Sequence, residues 1–207
     1  MTIQTLTADQ LCQHFGTRKP VCADASILQE TISKFSGTIV NNESSEVIRI
    51  MYTAFDHLLP SALRESSKGS SGLLPSSLLP AIDSMNAWVY ETFNNGVYKC
   101  GFAATQEIYD DNVYPIFESL DRLEQILADP NNRGPYLFGA HITEADIRLF
   151  PTLIRFDVGY CMLFKLNIKM IRHDYPNLYK WLRLLYWDES EITRGAFKKT
   201  TKFDRVS

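Results

Sequence analysis

From Pro80 almost to the C-terminus, apolar residues recur every three or four positions, the repeat of helices that each bury one face. One helix is expected over Ala81–Phe93 (AIDSMNAWVYETF), ending at Asn94-Asn95-Gly96. A second is expected from near Thr105, with Val113, Ile116, Phe117, Leu120, Leu123 and Leu127 on its apolar face. Pro115 falls inside it and should kink it, because proline removes one backbone hydrogen bond. After the loop Asp129–Pro135 and the apolar Tyr136-Leu137-Phe138, the run Thr143-Glu144-Ala145-Asp146 opens a third helix. A hydroxyl at the N-cap and a carboxylate three residues later can each bond the other's free backbone N–H. Ile142 and Ile147 are placed to clasp that end as a hydrophobic staple. Ile147, Phe150, Ile154 and Val158 form its expected buried face, with Pro151 as a bend. The stretch DYPNLYKWLRLLYWDES puts Pro176 in a first turn and turns Leu178, Trp181, Leu182 and Leu185 inward. Beyond it, Glu191 to Ser207 is polar and basic and reads as a surface excursion.

The first third is patterned differently. LTADQLCQHF, with a cap at Thr7, and Ile27–Phe35 have weak helical spacing. Gly37-Thr38-Ile39-Val40 is a short β-type run that leads through Asn41-Asn42 into ESSEVIRIMYTAF. There Val47, Ile48, Met51 and Phe55 repeat at helical spacing, Ser44 or Ser45 can cap, and Glu46 lies in the first turn. This is a strand–turn–helix unit. Residues 60–80 are rich in Ser, Gly and Pro and read as an exposed linker. The expected organisation is therefore an α/β segment over 1–59, a linker over 60–79 and an all-helical domain over 80–207.

Composition narrows the chemistry. The chain has 207 residues, 45% of them hydrophobic, and a formal net charge of −3. That length can bury a substantial core. The acidic balance and the lack of any Lys/Arg block argue against nucleic acid as a partner. No apolar run is long enough for a bilayer, and residues 1–20 lack the core of a signal peptide, so a cytoplasmic location is expected. Cys12, Cys22, Cys100 and Cys161 form no CxxC pair, and His14, His57, His141 and His173 are scattered, so no metal site is expected.

Five runs together resemble the glutathione transferase superfamily, and within it the glutathionyl-hydroquinone reductases (xi-class or omega-like transferases). They are GTIVNNESSEVIR (37–49), NNGVYKCGFAATQEIYDDNVYPIFESLDRLEQIL (94–127), YLFGAHITEADIRLF (136–150), IRFDVGY (154–160) and IRHDYPNLYKWLRLLYWDESEITRGAFKKTTKFD (171–204). The resemblance implies a mainly α chain: a helical C-terminal domain preceded by a thioredoxin-like segment, here incomplete. It implies glutathione as co-substrate and a small aromatic or quinone-type second substrate, and homodimers are common in the family. The family's Glu-Ser pair, which holds the γ-glutamyl end of glutathione, falls on Glu43 and Ser44. The physics agrees, since N–H groups at a helix N-terminus favour a carboxylate. The tyrosine that the family uses near its thiol falls on Tyr98, and a phenol can donate to a developing phenolate or thiolate.

This chain also departs from the family. The nucleophile there is a cysteine in a Cys-Pro-Trp motif, whereas here Cys12 precedes Gln-His-Phe and Cys22 precedes Ala-Asp-Ala. The Val-Pro dipeptide before the GTIV strand is missing too, as is the segment past Phe-Asp that carries a second tyrosine. Reduction of a glutathionyl-hydroquinone needs a thiolate to accept glutathione as a mixed disulfide, so conjugation is easier to retain. Two other readings stand beside this one: a non-catalytic binding protein that kept the helical domain, and a truncated product of a longer gene.

Overall fold

The computed structural model describes residues 43–203. The helices expected near Thr7 and over Ile27–Phe35, the Gly37–Val40 strand, Cys12, Cys22, the side chain of Met51 and residues 204–207 lie outside the described residues. The backbone divides into two compact units between Ser67 and Lys68.

The first unit is carried by helix α1 (Ser44–Thr53). Glu43, not a serine, is its N-cap residue, and no side chain caps this end. The Glu43 carbonyl accepts the first-turn bonds from Glu46 N at 3.0 Å and Val47 N at 2.9 Å. Both serines are therefore inside the helix, where a side chain no longer faces the N2 and N3 amides that a cap must reach. Val47 and Ile48 are half-buried. Short turns follow, pinned by Asp56, whose carboxylate accepts from Glu65 N at 2.6 Å and from Ser66 Oγ at 2.7 Å.

The second unit is all helical. Its main helices are α2 (Leu79–Val89), α3 (Gly96–Gly101), α4 (Gln106–Ala128), α5 (Glu144–Arg155), α6 (Pro176–Tyr186) and α7 (Ala196–Thr200), with single turns of helix over Cys161–Leu163 and Ile171–Asp174. The core lies where α4 meets α3 and α6, and where α5 meets α2 and α6. The linker reading differs from the structure at its C-terminal end. Gly72 and Pro75 are buried, Leu73 O accepts from Glu144 N at 2.8 Å, and Leu74 and Leu78 pack on the core. The leucines of SSGLLPSSLLP outweigh its turn residues, because each one buried removes apolar surface from water.

Thr105 caps α4, its Oγ1 accepting from Ile108 N at 3.3 Å, and the helix runs through Pro115. Val113, Ile116, Phe117, Leu120 and Leu123 are buried as the spacing predicts, and so are Leu178, Trp181, Leu182 and Leu185 of α6. The inward face of α5 is rotated from the expected one. Ala145, Leu149, Phe150 and Leu153 are buried, whereas Ile147 and Ile154 are half-buried and Val158 is exposed. A π-helical turn over Phe156–Tyr160 ends α5 and adds a residue to the repeat, which carries Val158 off the helix face. The tail is likewise not a free excursion. Phe197 of α7 packs edge-on against Phe150 at 4.7 Å, and Lys198 Nζ stands 4.1 Å over the Trp187 ring.

Candidate functional site: two tyrosines after two π-turns

The helix expected to end at Asn94-Asn95-Gly96 does so, its last turn being a π-turn over Tyr90–Asn94; after Asn95, α3 opens at Gly96. One extra residue per turn shifts every later side chain around the helix axis, so α3 presents a different face from α2. Gly96 makes the change tolerable: a Cβ there would meet Ile116 Cγ1 of α4 at 3.0 Å. Tyr98, one turn on, is 45% exposed.

The Tyr98 hydroxyl lies 2.9 Å from that of Tyr160, the last residue of the second π-turn. The rings are close to perpendicular with centroids 5.7 Å apart. Phe164 stacks on Tyr160 at 5.5 Å and meets Tyr98 edge-on at 6.1 Å. It can do so because residue 101 is glycine, where a Cβ would stand 2.5 Å from the Phe164 ring. Tyr160 is buried and Tyr98 is the open member of the pair. Burial pushes the Tyr160 phenol well above its ordinary range, the bond to Tyr98 adds to this, and the Arg155 guanidinium opposes it. Beyond Phe164 the Phe102 ring, 5.7 Å away, is largely exposed and extends the aromatic surface beside the pair.

A buried polar layer ties the two signature runs together. Asn86 Nδ2 of α2 donates to Glu144 Oε1 at 3.1 Å, and Arg148 Nη1 reaches the same oxygen at 3.3 Å. Asn94 Nδ2, from the first π-turn, donates to Arg148 O at 3.4 Å. Behind it Asp146 is fully buried and accepts from Thr143 N and Oγ1, Leu137 N and Trp181 Nε1. Both halves of the capping box are present.

The described cysteines are poor nucleophiles. Cys100 and Cys161 are buried, burial raises both thiols, and that of Cys100 is pushed up to about 11. Of the residues singled out from the sequence, Tyr98 thus has a chemically coherent setting. Glu43 and Ser44 open α1 in the first compact unit, where Ser44 is the first helical residue and both are exposed. Sequence reasoning missed Tyr160 as a site residue. It lies at the end of the IRFDVGY run, and nothing local distinguishes it from nine other tyrosines.

Residues 106–184 match the model of the glutathione S-transferase C-terminal domain. The chain belongs to the glutathione transferase superfamily. It is 49% identical over 173 residues to the glutathionyl-hydroquinone reductase YqjG of Escherichia coli, which covers 84% of this chain and 47% of that protein. Among solved structures, the xi glutathione transferase of Phanerochaete chrysosporium matches with a TM-score of 0.72 and 52% identity, over 84% of this chain and 51% of that one. The glutathione-bound structure of that same Escherichia coli YqjG, a glutathione transferase homolog, matches with a TM-score of 0.69 and 45% identity, over 84% of this chain and 50% of that one. The fold is that of the xi-class transferases in its helical part. The chain spans about half the length of the curated relatives it matches.

Proposed function

We propose that this transferase-family chain acts with glutathione as co-substrate, in transfer or reduction on quinone-type or other aromatic electrophiles. The observation that carries the reading is the Tyr98–Tyr160 hydroxyl pair with the Phe164 and Phe102 rings beside it. When the glutathione sulfur adds to a quinone carbon, a C–S bond forms and an electron pair moves onto a quinone oxygen. Tyr98 O–H donates to that oxygen, and the proton lost by the thiol ends on the hydroquinone product. Glu43 and Ser44, at the start of α1, hold the γ-glutamyl end: the carboxylate meets the ammonium and the helix N-terminus meets the α-carboxylate. The Escherichia coli relative supports glutathione as the co-substrate: YqjG is named a glutathionyl-hydroquinone reductase, and its matching structure is glutathione-bound. The same reading carries a cytoplasmic location and a homodimer. It includes no nucleic acid, membrane or metal.

Calorimetric titration with glutathione tests the reading, together with the rate of conjugation to a benzoquinone. Binding at millimolar ligand or below is expected, weakened about tenfold in Glu43→Gln by loss of a charge-assisted bond. Tyr98→Phe should slow transfer about a hundredfold. No binding at millimolar glutathione overturns it. The burial of both described cysteines, Cys100 and Cys161, favours a second reading, a non-catalytic binding or interaction protein derived from this family; transfer that disappears in Tyr98→Phe removes that alternative.

A further inference from the structure

Phe164 owes its place beside the tyrosine pair to the backbone that follows it. The single turn of helix over Cys161–Leu163 ends at Phe164, and the next residue, Lys165, has φ 60°. A residue in the left-handed region just past a helix end is usually glycine, because a Cβ there crowds the following carbonyl oxygen. Here it is a lysine, so the turn has to be held by its surroundings. The Lys165 carbonyl accepts from Asn167 N at 2.9 Å within the turn and from the Tyr109 hydroxyl of α4 at 2.8 Å. Leu166, directly after, is fully buried.

The Tyr109 bond comes from outside the turn. Tyr109 sits in the first turn of α4, whose start is fixed by the Thr105 cap, and its ring packs on the core. A hydroxyl on a ring seated in this way is a fixed donor, so it sets where the Lys165 carbonyl stands. On the other side, Phe164 N donates to Tyr160 O at 3.0 Å. Between these two anchors the Phe164 backbone has little freedom, and its ring stays stacked on Tyr160 and edge-on to Tyr98. Phe164 is half-buried, so part of that ring remains open.

We propose that Tyr109 is a positioning residue: its hydroxyl holds the Lys165 turn, the turn sets the Phe164 ring against Tyr98, and that ring makes the site select a planar aromatic ligand over a saturated one of similar size. Tyr109 acts through the backbone of Lys165 and not by contact with the ligand. A flat ring can lie edge-on or offset against Phe164 and Tyr98, whereas a puckered ring loses that ring–ring attraction. The inference rests on the proposed function, in which Tyr98 faces the second substrate.

The test is calorimetric binding of hydroquinone and of cyclohexane-1,4-diol to the full chain, because both carry two hydroxyls across a six-membered ring and one of the rings is flat. Wild type should bind hydroquinone about tenfold more tightly, and Phe164→Leu should lose most of that preference. Tyr109→Phe removes one hydroxyl and keeps the ring. It should weaken hydroquinone about fivefold and the diol less than about twofold. Adding Lys165→Gly to Tyr109→Phe should restore most of the preference, because glycine takes φ 60° without the clash. Equal weakening of both ligands in Tyr109→Phe would mark a merely structural role and overturn the proposal, and so would no recovery in the double variant. A preference lost in Phe164→Leu and kept in Tyr109→Phe overturns the role of Tyr109 and leaves Phe164 at the site. Wild type that binds glutathione yet does not discriminate between the two rings overturns the inference and leaves the proposed function standing. Wild type that binds neither glutathione nor hydroquinone overturns both. Tyr109 is half-buried and its ring is retained, so circular dichroism can confirm that the variants compared are folded.

Discussion

Asp146 offers the sharpest test of how the helical domain is held. Its carboxylate is fully buried and accepts four hydrogen bonds: Thr143 N at 2.8 Å, Thr143 Oγ1 at 2.9 Å, Leu137 N at 3.0 Å and Trp181 Nε1 at 2.9 Å. Burial pushes its pKa up, and the four donors pull it down. The residue thus joins the start of α5, the turn before it and α6. Asp146→Ala strands two backbone amides and a buried indole N–H. An unsatisfied buried donor costs about 1–3 kcal/mol, and neighbouring losses do not add fully, so about 4–5 kcal/mol is expected. Asp146→Asn keeps one acceptor oxygen, which can serve Leu137 N and Trp181 Nε1. Its NH2 then faces the Thr143 N–H, donor against donor, for about 2–3 kcal/mol. Urea denaturation followed by far-UV circular dichroism measures both variants. Trp181, buried and bonded to Asp146, should also shift its fluorescence. A loss under 1 kcal/mol in Asp146→Ala, or an Asn variant less stable than the Ala variant, would refute the reasoning.

Gly101→Ala places a methyl within 2.5 Å of the Phe164 ring, so it should cost about 1–3 kcal/mol by overpacking and slow quinone conjugation as Phe164 leaves Tyr98. Denaturation and rate measurements on one preparation check both effects. Cys100, buried as a neutral thiol with its pKa raised from 9.0 to about 11, should resist an aromatic disulfide reagent at pH 8 in native protein and react at once in urea. Its folded pKa exceeds its unfolded one, so its share of stability is complete below pH 9 and is lost as pH rises towards about 11. Cys100→Ser should flatten stability against pH over that window.

Element by element, periodicity served well where a helix is regular and fails where the repeat changes. The inward residues of α6 and the face of α4 follow from spacing alone, because 3.6 residues per turn project one stripe to one side. The break expected at Asn94-Asn95-Gly96 stands where one helical stretch ends at Asn94 and the next opens at Gly96. The same rule misplaces Val158 on a buried face, because a π-turn over Phe156–Tyr160 alters the phase. Glu43 standing at the N-cap in place of the serines after it is a shift of one residue, within the ordinary uncertainty of helix ends.

The amino-acid sequence by itself determined the helical class of residues 80 onward, the capped start of α5 at Thr143, and membership of the transferase superfamily. These depend on local spacing and on runs of neighbouring residues, which a linear text preserves. It also singled out Tyr98, by its place in the NNGVYK run. Only the tertiary structure decided that Tyr160, 62 positions later, shares a hydrogen bond with it, and that Gly101 is small to admit Phe164. Those are contacts between helix ends brought together by the core, and the phase shift of two π-turns sets their geometry. No periodic pattern in the chain encodes such a shift, because it arises when helices settle against one another.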